Sequence, residues 1–207
     1  MLTTFTVEVN STFYHYPTRK SLTGWYDKTP EDFIFTLKAN QIITHRKKFN
    51  ETDVLLRRFY NLSEMLDDKL GCILFQIPPY ISKNMKFLGN ALKQMNTEKI
   101  NVMEFRDISW FQKEVYDLLS ENNVGFCTVS ATNLPDDLIN TSGIVYIRFH
   151  GLGDTNNRYQ HLYSNIELDE WKQKIQNTEA NKIFCYFNND YNANAVKNCK
   201  ELKKMLN

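Results

Sequence analysis

Glycine is scarce in this chain, seven residues in 207, and none forms a G-x-G-x-x-G or a Walker loop. Glycines in those patterns let the backbone approach a pyrophosphate, so a Rossmann dinucleotide site or a P-loop NTPase is not expected. Histidine is rare as well. His15, His45, His150 and His161 show neither H-x-x-x-H nor His-x-His spacing, so no metal site is assigned and a multi-zinc centre is argued against. The four cysteines, Cys72, Cys127, Cys185 and Cys199, form no C-x-x-C. Three of them stand in apolar strand-like runs, as buried reduced thiols do. A G-x-S-x-G nucleophile elbow is absent too. Neither sign of charge prevails: 25 basic residues face 24 acidic ones, for a net charge of +1. No global field therefore favours nucleic acid or a membrane surface. No stretch approaches the ~18 apolar residues of a membrane span, and Met1 to Val7 lacks the charge, apolar segment and cleavage site of a signal peptide. The expectation is a cytoplasmic protein with no membrane partner and no cofactor.

What is present is ordinary globular material, 42% hydrophobic and rich in aromatics at 14%, enough for one domain over residues 1–207. Short apolar runs at Phe5–Asn10, Phe33–Ala39, Gly71–Pro78, Ile100–Arg106, Val124–Ser130, Ile144–Gly151 and Lys182–Asp190 have the length and character of strands. Helical spacing lies between them: Leu55, Phe59, Leu62 and Leu66; Phe111, Val115, Leu118 and Leu119; Leu168, Trp171 and Ile175; Ala195, Cys199, Leu202 and Leu206. Ser109 with Gln112 and Ser164 with Glu167 each fit a capping box. Further helices are expected at Ser21–Lys28 and Ser82–Met95, and a single turn near Pro135. Strands joined by helical crossovers pair in parallel. Two architectures fit, a (β/α) barrel and an open doubly wound sheet.

The ends of the strands carry the functional signal. Residues i and i+2 of a strand share a face, and each run begins apolar and ends polar at that spacing. The pairs are Glu8 and Asn10, Thr36 and Lys38, Glu104 and Arg106, Thr128 and Ser130, Arg148 and His150, and Asn188 and Asp190; the third strand ends in Leu74 and Gln76. Any one pair could be a buried ion network. Recurrence on seven strands points instead to a single site, because ligands bind at the carboxyl edge of parallel sheets. Lys38, Arg106 and Arg148 suit phosphate or carboxylate. Glu8 and Glu104 are candidate bases and His150 a candidate acid, with Asn10, Gln76, Asn188, Asp190 and Tyr14 as substrate contacts. The bland reading of His150 is a hydrogen-bonded core histidine. The aromatics Phe13, Tyr14, Tyr16, Tyr159 and Tyr163 serve as loop packing or as stacking surfaces.

The motifs together resemble the YecE-like family, domain of unknown function 72. Glu8-Val9-Asn10-Ser11-Thr12-Phe13-Tyr14 is similar to its E-x-N-S-T-F-Y signature. In family order follow Thr29-Pro30-Glu31-Asp32-Phe33, Lys38, Thr44-His45, Leu74-Phe75-Gln76-Ile77-Pro78-Pro79 and Glu104-Phe105-Arg106 with Ser109-Trp110. Tyr146-Ile147-Arg148-Phe149-His150-Gly151, Tyr163-Ser164, and Phe187-Asn188-Asn189-Asp190 with Ala195 and Asn198 complete the set. The resemblance implies a TIM-barrel-like (β/α) barrel and no settled activity. It also implies an earlier strand and helix that this sequence lacks, so seven parallel strands are expected, open at the amino-terminal seam.

Two functional classes compete. One is an acid–base enzyme or binder for a small anionic ligand; the other is a nucleic-acid-binding or repair-related protein using the same arginines with Tyr14, Tyr16 and Tyr159. A non-catalytic barrel is the third alternative. A homodimer through exposed strand edges is a further expectation.

Overall fold

The computed structural model describes residues 6–153 and 157–207. Among the described residues seven strands follow in chain order, with α-helices between successive strands everywhere but between the fifth and sixth. They are β1 (Thr6–Val9), β2 (Ile34–Lys38), β3 (Leu70–Ile77), β4 (Asn101–Phe105), β5 (Gly125–Ala131), β6 (Ile144–Gly151) and β7 (Lys182–Phe187). The helices are α1 (Ser11–Tyr14), α2 (Arg19–Lys28), α3 (Asp53–Ser63), α4 (Met85–Lys93), α5 (Lys113–Glu121), α6 (Asn165–Gln176) and α7 (Asn194–Leu206). This is the (β/α) arrangement expected from the sequence. Phe5, which opens the first expected strand, lies outside the described residues. The chain divides into two compact units, one reaching Trp110 with Glu121–Val124 added, the other comprising Phe111–Ser120 and Gly125–Asn207.

In the first unit β1 pairs with β2, β2 with β3 and β3 with β4, all in parallel. The register sets Glu8 beside Thr36, Lys38 beside Leu74, and Gln76 beside Glu104. Register partners in parallel strands share a face, so the polar ends of β1 to β4 stand on one side. The opposite side is apolar and carries helices: Phe75 meets Phe49 and Tyr60, and Phe105 stacks on Trp110 with ring centroids 4.6 Å apart. The buried stripe of α3 is Leu56, Phe59, Tyr60 and Ser63, one position off the expected Leu55 and Leu62. Thr18 and Ser21 cap α2 reciprocally. Its other end is closed by Lys69, a buried lysine. The Lys69 ammonium donates to the carbonyls of Tyr26 (2.6 Å) and Thr29 (2.8 Å), orphan acceptors of a helix terminus.

The second unit pairs β5 with β6 and β6 with β7, again in parallel. Val145, Ile147 and Phe149 of β6 form its core with Leu168, Trp171 and Ile175 of α6 and Leu202 of α7. The reciprocal cap of Ser164 and Glu167 starts α6 as expected. The helix α5 begins at Lys113, later than the start expected at Ser109. The Ser109 hydroxyl bonds Asp107 and accepts the Lys83 N–H (2.7 Å), pinning two loops together. The helix expected at Ser82–Met95 is shorter, capped by Asn84 at Met85. Between β5 and β6 no helix forms among the described residues; a turn at Thr132–Asn133 stands in place of one near Pro135.

Candidate functional site

In the first unit the polar strand ends gather around one carboxylate. Glu104 is fully buried. Gln76 Nε2 donates to its Oε1 at 3.1 Å, and Arg106 Nε donates to the same oxygen. Two donors from neighbouring strand ends thus hold the carboxylate in one orientation. Lys38 is 9% exposed and lies over the Phe13 ring, with its ammonium 4.4 Å from the ring centroid. Phe13 comes from α1, which the Thr12 hydroxyl ties to β2 by donating to the Lys38 carbonyl (2.7 Å). Asn40 adds a second tie, donating to the Thr12 carbonyl at 3.1 Å. Two residues of the E-x-N-S-T-F-Y signature, Thr12 and Phe13, therefore position Lys38. Glu8 is buried on the same face; Asn10 sits at the start of α1, and Tyr14 is 61% exposed, edge-on to Phe13.

One residue of this cluster was not among the sequence-based candidates. Past β2 the chain forms a π-helical turn, Ile42–Arg46, in which the Lys47 N–H donates to the Ile42 carbonyl (2.8 Å). Such turns are rare and concentrate at functional sites. This one carries His45, whose ring packs edge-on against Phe13 at 4.9 Å. Burial, aided by the Lys38 and Arg106 cations and opposed by the Glu104 carboxylate, lowers its pKa to about 4. Just beyond the turn come three left-handed non-glycine residues, Lys48, Phe49 and Glu51. This costly geometry is held by Asn90 and Gln94, which both donate to the Phe49 carbonyl (2.9 and 2.8 Å).

In the second unit Arg148 and His150 are 2% and 3% exposed. Arg148 is in register with Val129 and Tyr186, so this face also carries Tyr146 and, one step beyond β7, Asn188. The Asn188 N–H donates to the Phe149 carbonyl (2.8 Å), and its side-chain oxygen is buried with no hydrogen-bond partner among the described residues. Tyr159 meets the His150 ring at 5.9 Å. Thr128 and Ser130, expected with the strand-end pairs, occupy the helix-covered face instead. The Thr128 hydroxyl donates to the Asp137 carbonyl (2.8 Å) and Ser130 bonds the Tyr163 hydroxyl (2.7 Å). Strand β7 stops at Phe187, leaving Asn188 and Asp190 in the following loop, with Asp190 exposed.

Several motif residues turn out to brace loops. Asn198 accepts the Tyr163 N–H (3.1 Å) and donates to the Tyr163 carbonyl (2.8 Å), while Asn189 donates to Asn198 (2.9 Å). The Tyr163 hydroxyl accepts the Gly151 N–H (2.9 Å) at the end of β6. Burial pushes the Tyr163 pKa up to about 12, so the phenol stays protonated. Among the described residues no three His, Cys, Asp or Glu side chains gather as a metal ion would require, and no helix is long and apolar enough to cross a membrane.

Comparison with known proteins agrees with the motifs. UPF0759 protein YunF of Bacillus subtilis (strain 168) is 26% identical, over 97% of this chain and 82% of its own length. A DUF72 family protein of Thermotoga maritima MSB8 is 27% identical with a TM-score of 0.87, covering 97% of this chain and 84% of that one. A DUF72 family protein of Enterococcus faecalis V583, 20% identical over the same shares, superposes with a TM-score of 0.88 and so shares the fold. Residues 3–207 match the family described as Protein of unknown function DUF72, and the chain belongs to that family.

Proposed function

We propose that this protein binds a small anionic compound, phosphorylated or carboxylated, at the carboxyl ends of its strands and exchanges a proton with it. The observation that carries this reading is the buried Glu104 carboxylate, clamped by Gln76 and Arg106 at the strand ends. A buried ion pair is a poor stabiliser relative to apolar packing. Its presence at the edge where parallel sheets bind ligands favours a functional role. Lys38 and Arg106 supply positive charge for the anion. Glu104 is the favoured proton acceptor and Glu8 the second carboxylate of that face. In the second unit, taken by itself, Arg148 is the candidate anion contact, His150 the candidate acid, and Asn188 a candidate contact through a side-chain oxygen that has no hydrogen-bond partner among the described residues. Asn10 and Gln76 complete the contacts. Tyr14 in the first unit and Asp190 in the second, both exposed, are candidate contacts each within its own unit.

The test is thermal unfolding with inorganic phosphate, a hexose phosphate and small dicarboxylates. A ligand at ~100 times its Kd stabilises by about 2.7 kcal/mol, which raises Tm by about 5–10 °C in a chain of this size. Lys38→Met is expected to abolish the shift. No shift of the unsubstituted protein with any of these anions would overturn the reading.

A further inference from the structure

We propose that His45 is a further ligand-contacting residue of this site, a neutral imidazole that accepts the Thr44 hydroxyl at Nδ1 and offers its Nε2–H to a hydroxyl or carbonyl oxygen of the bound anion. The inference rests on the anion-site reading above and deepens it. It narrows the ligand to an anion with a second oxygen function beside its charge, as in a hydroxy or oxo acid.

The placement comes first. Asn40 follows β2 by two residues; it ties the chain to α1 through Thr12 and accepts the Ile42 N–H (3.1 Å), starting the π-helical turn. That turn sets His45 against the same Phe13 ring that receives the Lys38 ammonium. The histidine lies within electrostatic reach of Lys38, Glu104 and Arg106, all of which the anion site uses, and its ring is only half-buried.

The tautomer follows from Thr44. That side chain is fully buried, and its hydroxyl oxygen lies 2.8 Å from His45 Nδ1. The hydroxyl has no other hydrogen-bond partner among the described residues. If Nδ1 carried the proton and donated, the threonine proton would be buried without an acceptor, at a cost typical of an unsatisfied donor. If the threonine donates, both groups are satisfied, and the ring proton resides on Nε2. Burial first, and then the Lys38 and Arg106 cations against the opposing Glu104 carboxylate, disfavour a positive ring. A neutral donor has a distinct use here. Lys38 and Arg106 hold the anionic group, while an uncharged N–H polarises an adjacent oxygen without attracting a second anion. With Glu104 as base on the same face, an acid–base step next to that oxygen has both its partners.

The experiment has two arms. Long-range nitrogen–proton spectra of the 15N-labelled full chain, with His45 assigned through His45→Gln, are recorded between about pH 5 and 8. A protonated-type Nε2 and an unprotonated-type Nδ1 are expected throughout, and Thr44→Val is expected to mix the two tautomers. In the second arm malate and succinate are titrated by calorimetry. These dicarboxylates differ by one hydroxyl. Malate is expected to bind about tenfold more tightly, the ~1.4 kcal/mol of one neutral hydrogen bond. His45→Phe is expected to equalise the two, and His45→Gln, which keeps a donor, to restore part of the difference. A charged or Nδ1-protonated His45 would overturn the inference whatever the anions do. The expected tautomer with an unchanged malate preference in His45→Phe would overturn the ligand contact and leave the anion site standing. Binding of neither acid, nor of inorganic phosphate, would overturn the site reading itself and the ligand contact with it.

Discussion

Gln76 and Glu104 stand opposite each other in the β3–β4 register, and the amide of the first donates to the carboxylate of the second across 3.1 Å. Arg106 donates to the same carboxylate oxygen, so one atom serves two donors. Removing either leaves part of a buried charge uncompensated. Arg106→Met is expected to destabilise the fold by about 3–5 kcal/mol and Gln76→Leu by about 1.5–3 kcal/mol. Because both act on one oxygen, the double variant should depart from the sum by more than ~0.5 kcal/mol. Urea unfolding of the four proteins measures this, and strict additivity would mean that the two donors act independently.

His45 gives the acid limb of stability a definite sign. Its pKa in the folded protein is lowered from 6.5 to about 4, chiefly by burial. Above pH ~6.5 the ring is neutral in both folded and unfolded chains, and its contribution is fully present. As pH falls from there towards 4, the unfolded chain takes up a proton that the folded one refuses, and stability is lost. Below that range both states are protonated and the loss stops growing. The half-buried ring is partly screened by water, so the effect is smaller than for a fully buried group. Urea midpoints at about pH 8, 6.5 and 5 should therefore converge in His45→Phe relative to the unsubstituted protein; an identical acid slope in both would refute the assignment.

Lys69 predicts a purely structural defect. Its ammonium satisfies the Tyr26 and Thr29 carbonyls and contacts the Thr29 hydroxyl at 3.3 Å. Lys69→Met keeps the aliphatic stem and deletes those bonds, and is expected to cost about 3 kcal/mol. The loss should show in the denaturant midpoint with an unchanged slope, while anion-induced shifts of the folded protein persist. Disappearance of the anion response in Lys69→Met would place this lysine in the binding machinery instead.

Much of this was legible in the sequence, because a strand writes its faces into alternate positions. Glu8, Lys38, Gln76 and Glu104 share a face as their spacing implied. The alternation failed at β5 for a physical reason. Thr128 and Ser130 are small hydroxyls that can be buried under helices once each finds a partner, and Asp137 and Tyr163 supply those partners from distant loops. At the carboxyl end of β7 the polar residues continued past Phe187, the last residue of the strand, so Asn188 and Asp190 read as strand but belong to a loop. Thr44-His45 was legible as a motif but not as part of the site, because what makes His45 distinctive is contributed by Phe13, Lys38, Glu104 and Arg106, none within six residues of it. The π-helical turn left no trace either. It differs from an α-turn by which carbonyl each N–H chooses, and Gln41–Lys47 contains no glycine or proline to mark the choice.

That choice of carbonyl has a consequence for how such a site can arise and be lost. A π-helical turn holds one residue more than an α-turn. Deleting a single residue between Asn40 and Thr44 would let the segment relax to ordinary helix and swing the next side chain round by about 100°. The imidazole would then leave the Phe13 ring without any change in the residues that surround it. The position of His45 is thus set by the length of the segment before it as well as by the letter itself, and the loss of one codon there would misplace the imidazole while Thr44-His45 still stood in the sequence.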